Sequence, residues 1–220
     1  MPITIPTLSY ELNTTVRMHR EAEGYTQEEF AFLIGKDLKE VQANEDLTTD
    51  AAYDINHTNF YVRVLGKVPK DMFFKDSFEE ATIKIYATKT EIENKKTGKK
   101  TIKFKGTGSF NKKSTVIESY SIPVDPDYDV SAEDQDLVLS ILEDWLRNDY
   151  FKEGITGYKL YQDLLAKAQS AEIQLPESFR PILVSRAITT LTNKRKKPKL
   201  LPYRKLPKTA EKWLLYKEDI

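Results

Sequence analysis

The first eighty residues set helical apolar spacing between short polar breaks. Leu12 and Val16, with either Met18 or His19, fall on one face of a helix that stops at Gly24, a natural C-terminal cap. The next stretch, GYTQEEFAFLIGKDLKEVQANE (24–45), repeats the pattern twice. Thr26 precedes Gln27, Glu28 and Glu29, a capping-box spacing, and Phe30, Ala31 and Ile34 form the buried face of a second helix. Gly35 makes the turn, and Asp37 caps a third helix whose inward residue is Val41.

From residue 81 the period changes from helical to alternating. Ile83, Ile85 and Ala87 alternate with Lys84 and Tyr86, and Ile102 and Phe104 alternate with Lys103 and Lys105. Ile117, Tyr120 and Ile122 continue a similar pattern, so three short antiparallel strands are expected. NKKTGKK (94–100) supplies the first turn, with Gly98 free to take positive φ, and Gly106, Gly108 and Asn111 mark the second. Residues 95–113 carry eight lysines and no acid. Lysines guarding a sheet edge against aggregation would account for them, and so would a basic ribbon lying on nucleic acid.

Helical spacing returns after the acidic, proline-interrupted stretch PVDPDYDVSAEDQD (123–136). Ser131 with Asp134 makes an N-cap, and Leu137, Ile141 and Trp145, with Leu142 beside them, are the expected inner face. A second amphipathic helix over 156–169 turns Leu160, Leu164 and Leu165 inward. A third opens at Ser178 or at the Arg180-Pro181 step, with Leu183, Val184, Ala187, Ile188 and Leu191 inward. A basic turn and a strand rich in Trp, Leu and Tyr follow.

The spacing Arg20-x3-Gly24-x-Thr26-Gln27-Glu28-Glu29-Phe30-Ala31-x3-Gly35-x5-Val41-x3-Glu45 resembles the Xre/Cro-type helix-turn-helix family, and VRVLGKVPKDMFF (62–74) is similar to that family's fourth and fifth helices. The resemblance covers about residues 8–76. It implies that Arg20 and Glu45 form a structural ion pair between helices 1 and 3, and that Gln27 meets a phosphate. It also implies that helix 3 presents Leu38, Lys39, Gln42 and Ala43 to the major groove. Gln42 would pair with adenine, and Lys39 would reach guanine or phosphate. The chain departs from the family pattern at Lys36, Leu38 and Asn44, and Glu40 adds negative charge to the reading helix. The C-terminal order of three helices, basic turn and strand is similar to winged-helix domains, a resemblance of element order alone.

Charge sharpens this picture. The 220 residues carry 34 basic and 34 acidic side chains, but unevenly. Residues 1–80 hold 8 Lys/Arg against 15 Asp/Glu, residues 81–130 hold 10 against 6, and residues 131–220 hold 16 against 13. Between Arg180 and Lys212 there are 11 basic residues and one acid, Glu211. That excess exceeds what a helix C-terminus needs and marks a surface for phosphate or for an acidic partner. There is no apolar run of membrane-span length, no signal-peptide pattern and no cysteine. Neither of the two histidines has a second at ligand spacing, and no phosphate-binding loop, GxSxG or HExxH motif occurs.

Taken together these features predict a mainly α protein with a small antiparallel β element, in three parts. They are an Xre-type helix-turn-helix domain (1–78), a lysine-rich β-meander (79–124) and a helical, winged-helix-like basic domain (125–220). The expected function is DNA binding in transcription regulation, in the cytoplasm, without catalysis, cofactor, metal or membrane. The candidate contacts are Gln27, Lys36, Lys39 and Gln42 in the first part, and Lys194, Arg195, Lys196, Lys197, Arg204 and Lys205 in the last. Duplex DNA is the expected partner, with a homodimer or a protein partner also allowed. The alternative is an interaction adaptor, such as an antitoxin, immunity or phage-defence component, docking through its acidic N-terminal surface.

Overall fold

The computed structural model describes residues 2–73, 81–110, 113–205 and 213–219, with side chains described except at 109–110, 113–117, 203–205 and 213–215. The architecture is mixed α+β, with two antiparallel sheets where one small element was expected. The chain divides into two compact units, residues 1–26 with 39–127 and residues 27–38 with 128–220. This differs from the expected three-part division at two places. The β-meander belongs with most of the N-terminal segment, and the second helix belongs with the C-terminal one.

In the first unit β1 (Ile3–Pro6) leads directly into α1 (Thr7–Ala22). Gly24 ends that segment at φ +72°. The part of α3 (Leu38–Asn44) from Lys39 onward follows, then α4 (Thr58–Val64), flanked by 3₁₀ turns at Ile55–His57 and Pro69–Met72. The strands β2 (Thr82–Glu93), β3 (Lys100–Phe110) and β4 (Lys113–Pro123) are about twice as long as their apolar alternation predicts. In β2 the extra length is mostly polar Thr, Lys and Glu, which alternation of apolar residues cannot detect. In β3 it includes Gly106 and Gly108, expected to mark the second turn, which instead lie within the strand opposite Ala87 and Ile85. The sheet order is β1-β2-β3-β4, all antiparallel, with Ile3 opposite Ile85 and Ile5 opposite Ile83. Ile5, Tyr10, Ile83 and Ile85 form a buried cluster, with Ile3, Leu47 and Ala87 packed against it. Gly98 takes φ +66° in the β2–β3 turn, as the turn chemistry demanded.

In the second unit α5 (Ala132–Arg147) begins at a complete Ser131/Asp134 capping box. A short strand β5 (Ile155–Thr156), α6 (Gly157–Gln169), α7 (Pro181–Thr192) and the hairpin strands β6 (Lys199–Lys205) and β7 (Trp213–Asp219) follow. The sheet order is β5-β7-β6. α7 buries Leu183, Val184, Ala187, Ile188 and Leu191, as its spacing predicts. α5 corrects its prediction by one residue. Val138, Leu142 and Leu146 are buried, whereas Leu137 is exposed. Two apolar stripes at i, i+4 spacing run side by side there, and helical period alone does not choose between them. Trp145 instead meets Tyr150, with ring centres 4.4 Å apart.

The second helix, α2 (Gln27–Ile34), packs against α6 and α7. Phe30 to Ile34 are all buried. At its C-terminus the Gly35 amide donates to the Phe32 carbonyl (3.2 Å) and the Lys36 amide to the Ala31 carbonyl (2.9 Å). Gly157 opens α6 so close to α2 that a Cβ there would lie 2.5 Å from the Phe32 carbonyl oxygen. No helix among the described residues is long and apolar enough to cross a membrane.

Candidate nucleic-acid interface

In the first unit, α3 turns Val41 and Asn44 inward and leaves Lys39, Glu40 and Gln42 exposed. Lys39 and Gln42 lie three residues apart, hence on one side of the helix. The outward direction expected for both is therefore observed. So is the Arg20–Glu45 pair. Arg20 Nε donates to Glu45 Oε1 at 2.7 Å and Nη2 to Oε2 at 2.6 Å, while Nη1 donates to the Tyr25 carbonyl at 2.7 Å. Burial works against the Arg20 cation, but the hydrogen bonds to Glu45 outweigh it and its pKa rises above the ordinary value. The Tyr53 hydroxyl donates to Glu45 Oε1 at 3.1 Å, and burial, with the Glu45 charge beside it, pushes that phenol well above its usual range. This cluster anchors α1 to the end of α3.

Gln27 and Lys36 lie in the second unit with α2, and both are partly covered. The N-terminal contact set is thus divided, with Lys39 and Gln42 in one unit and Gln27 and Lys36 in the other. The reason lies in Glu29. Its carboxylate is fully buried in the second unit, where it accepts from Arg180 Nε (2.5 Å), Arg180 Nη2 (2.6 Å) and the Ile182 amide (3.3 Å). The hydrogen bond to Glu29 holds the Arg180 pKa above its ordinary value. The Tyr128 hydroxyl donates to Glu28 at 2.7 Å on the same helix.

The basic C-terminal cluster follows α7. Asn193 caps that helix, and residues 194–198 turn the chain into β6. Lys194 pairs with Glu143 of α5 at 2.5 Å, and Lys197 with Asp219 at 2.9 Å. The hydrogen bond from Lys197 is the largest influence on Asp219, whose carboxyl is held below the usual range. Arg195 and Lys196 are exposed, and neither has a carboxylate partner among the described residues. The turn lines an open groove of about 500 Å³ together with Glu143, Leu146 and Arg147 of α5. Of the remaining candidates, Arg204 and Lys205 are carried on β6, and their side chains lie outside the described residues.

The structure adds residues that the sequence reading did not single out. α7 exposes Arg186, Thr189, Thr190 and Asn193, spaced three and four apart. This polar stripe lies opposite the buried apolar one and carries no acid. Arg186 is steadied by the Tyr128 ring, 5.1 Å from its centre. The Thr189 and Thr190 hydroxyls donate back to the Ser185 and Arg186 carbonyls at 2.9 and 3.1 Å, which leaves their oxygen lone pairs facing outward. The complement of the α7 apolar pattern was the available signal. Apart from Arg186, which the charge count includes without placing it on this face, its residues are hydroxyls and an amide, which charge counting passes over.

No family model, no curated protein and no solved structure matches the chain.

Proposed function

We propose that the chain binds duplex DNA through its second unit and acts in the cytoplasm as a regulator of transcription. The observation that carries this reading is the acid-free exposed face of α7, Arg186, Thr189, Thr190 and Asn193, running on into the exposed Arg195 and Lys196, which have no carboxylate partner among the described residues. The order helix, strand, helix, helix, hairpin, with sheet order β5-β7-β6, supports a winged-helix assignment. In that geometry α7 lies in the major groove. Arg186 and Asn193 suit guanine and adenine edges, and the threonines suit either base or phosphate. Arg195 and Lys196 neutralise backbone phosphates and release counterions.

The Xre-type resemblance enters as a second, weaker contact. Lys39 and Gln42 are exposed as that family requires, but Glu40 shares their surface and Gln27 and Lys36 belong to the other unit. The test is selection of the full chain against a randomised duplex library. One enriched motif is expected, with base preference relaxed by Arg186→Ala and affinity lowered by Lys196→Ala without a change of motif. A motif insensitive to Arg186→Ala but lost with Gln42→Ala would move the reading helix to α3. The absence of any enriched motif would sink the regulator reading.

A further inference from the structure

The four-stranded sheet has two faces of opposite character. One packs on the core and also carries the acids of the strands. Glu91 and Glu93 share the register side of Ile83 and Ile85, and Glu118 shares that of Phe104 and Ile122. The other face carries Lys84, Tyr86, Thr88 and Thr90 of β2, Lys103 and Lys105 of β3, and Ser119 and Ser121 of β4, with no carboxylate among its described residues. The lysines sort in the same way. Lys89 and Lys100, on the acidic side, pair with Asp46 (2.6 Å) and Glu91 (2.9 Å), and Lys99 in the turn pairs with Asp127 (3.1 Å). Lys84, Lys103 and Lys105 are exposed and have no ion pair among the described residues.

Edge protection does not explain these three cations. Lys103 and Lys105 sit on β3, which has β2 on one side and β4 on the other, and at Lys84 β2 is flanked by β1 and β3. Guarding charges belong on unpaired edges. Register also sets them in line. Thr107 lies opposite Tyr86, and Ser109 opposite Lys84. Along the strand axis the order is therefore Lys103, Lys105, Tyr86, Lys84, in steps of about 7 Å. Tyr86 is 48% exposed, an apolar ring held out among cations.

We propose that this face binds a single strand of DNA. Backbone phosphates would follow the line of lysines, and one base would stack on Tyr86, the combination by which single strands are held without base-edge readout. Duplex DNA presents its bases only as edges inside grooves, so the aromatic platform has no use there. The inference takes from the duplex-DNA reading only its choice of deoxyribose. The face itself belongs to the first unit and stands on the register above.

The experiment measures fluorescence anisotropy of the full chain with a labelled deoxythymidine oligomer, across a salt series, beside a uridine oligomer and a duplex. The double variant Lys103→Ser/Lys105→Ser should weaken deoxythymidine binding and flatten its log K against log salt slope by about 1.4, at roughly 0.7 per lost phosphate contact. Tyr86→Ala should weaken it about tenfold with the salt slope unchanged. Both should leave duplex affinity intact, whereas Arg186→Ala should do the reverse, so the two readings fail separately. The proposal is overturned if the unaltered chain does not hold the deoxythymidine oligomer, if it holds the uridine oligomer more tightly, or if the double variant keeps the original slope.

Discussion

Each unit holds a fully buried glutamate gripped by an arginine fork, and the two forks are built differently. Arg20 and Glu45 are 25 residues apart, and both side chains are buried. Arg180 and Glu29 are 151 residues apart, and the arginine remains 31% exposed. The first fork joins the last turn of α1 to the residue that follows α3, within one short stretch of chain. The second reaches across most of the chain and fixes where α2 docks. Similar chemistry thus serves local assembly in one unit and long-range assembly in the other.

Removing each arginine separates the two. Arg20→Ala removes the arginine fork from a fully buried carboxylate and should cost about 3–5 kcal/mol in denaturant titration. A loss below about 1 kcal/mol would mean that water enters freely and the fork is no anchor. Arg180→Ala removes two donors from Glu29 but keeps the Ile182 amide, at a fork whose arginine is already 31% exposed, so about 2 kcal/mol is expected. An equal or greater loss than for Arg20 would reverse the ranking.

Gly157→Ala probes α2 docking without touching charge. Its new methyl would overlap the Phe32 carbonyl, and overpacking of this kind costs about 1–3 kcal/mol. Hydrogen exchange should show protection falling along α2 and α6 while α1 keeps its own. A uniform fall through both units would refute a local docking effect. Tyr53→Phe should be milder, about 1 kcal/mol, because Glu45 keeps Arg20.

The smallest contrast is in alkali. Burial is the main cause that raises the phenols of Tyr10, Tyr53 and Tyr120 in the first unit and Tyr150 in the second. A phenol whose folded pKa exceeds its unfolded value near 10 keeps its proton longer when folded. Stability from this source is complete below about pH 10 and declines as pH rises further. The decline should be steeper in the first unit, and Tyr53→Phe should flatten it there. A profile unchanged by that substitution would remove Tyr53 from the account.

What the sequence made legible was local. The Ser131 cap, the inner face of α7 and the Gly98 turn each rest on spacings within one element, whereas the Arg20–Glu45 pair was an expectation drawn from the resemblance to the Xre/Cro-type family. The pairing of β1 with β2 was not legible, because a four-residue strand offers only Ile3 and Ile5 and its partner lies some eighty residues on. The Glu29–Arg180 fork was hidden for the same reason, since Glu29 reads equally well as a capping-box residue. The α5 inner face failed by one position because both neighbouring stripes are apolar. In the basic cluster, counting charges found Arg195 and Lys196 but could not tell them from Lys194 and Lys197, which acids already hold. The threonines and asparagine beside them carry no charge to count.

The membership of α2 in the second unit has a consequence in time. During synthesis Phe30, Phe32, Leu33 and Ile34 leave the ribosome well over a hundred residues before α7 is complete. At ordinary elongation rates that is a wait on the order of ten seconds. Through that interval a strongly apolar helix has no permanent seat. A nascent chain stalled before residue 157 should therefore recruit a hydrophobic-segment chaperone at α2, and release it once α6 and α7 emerge.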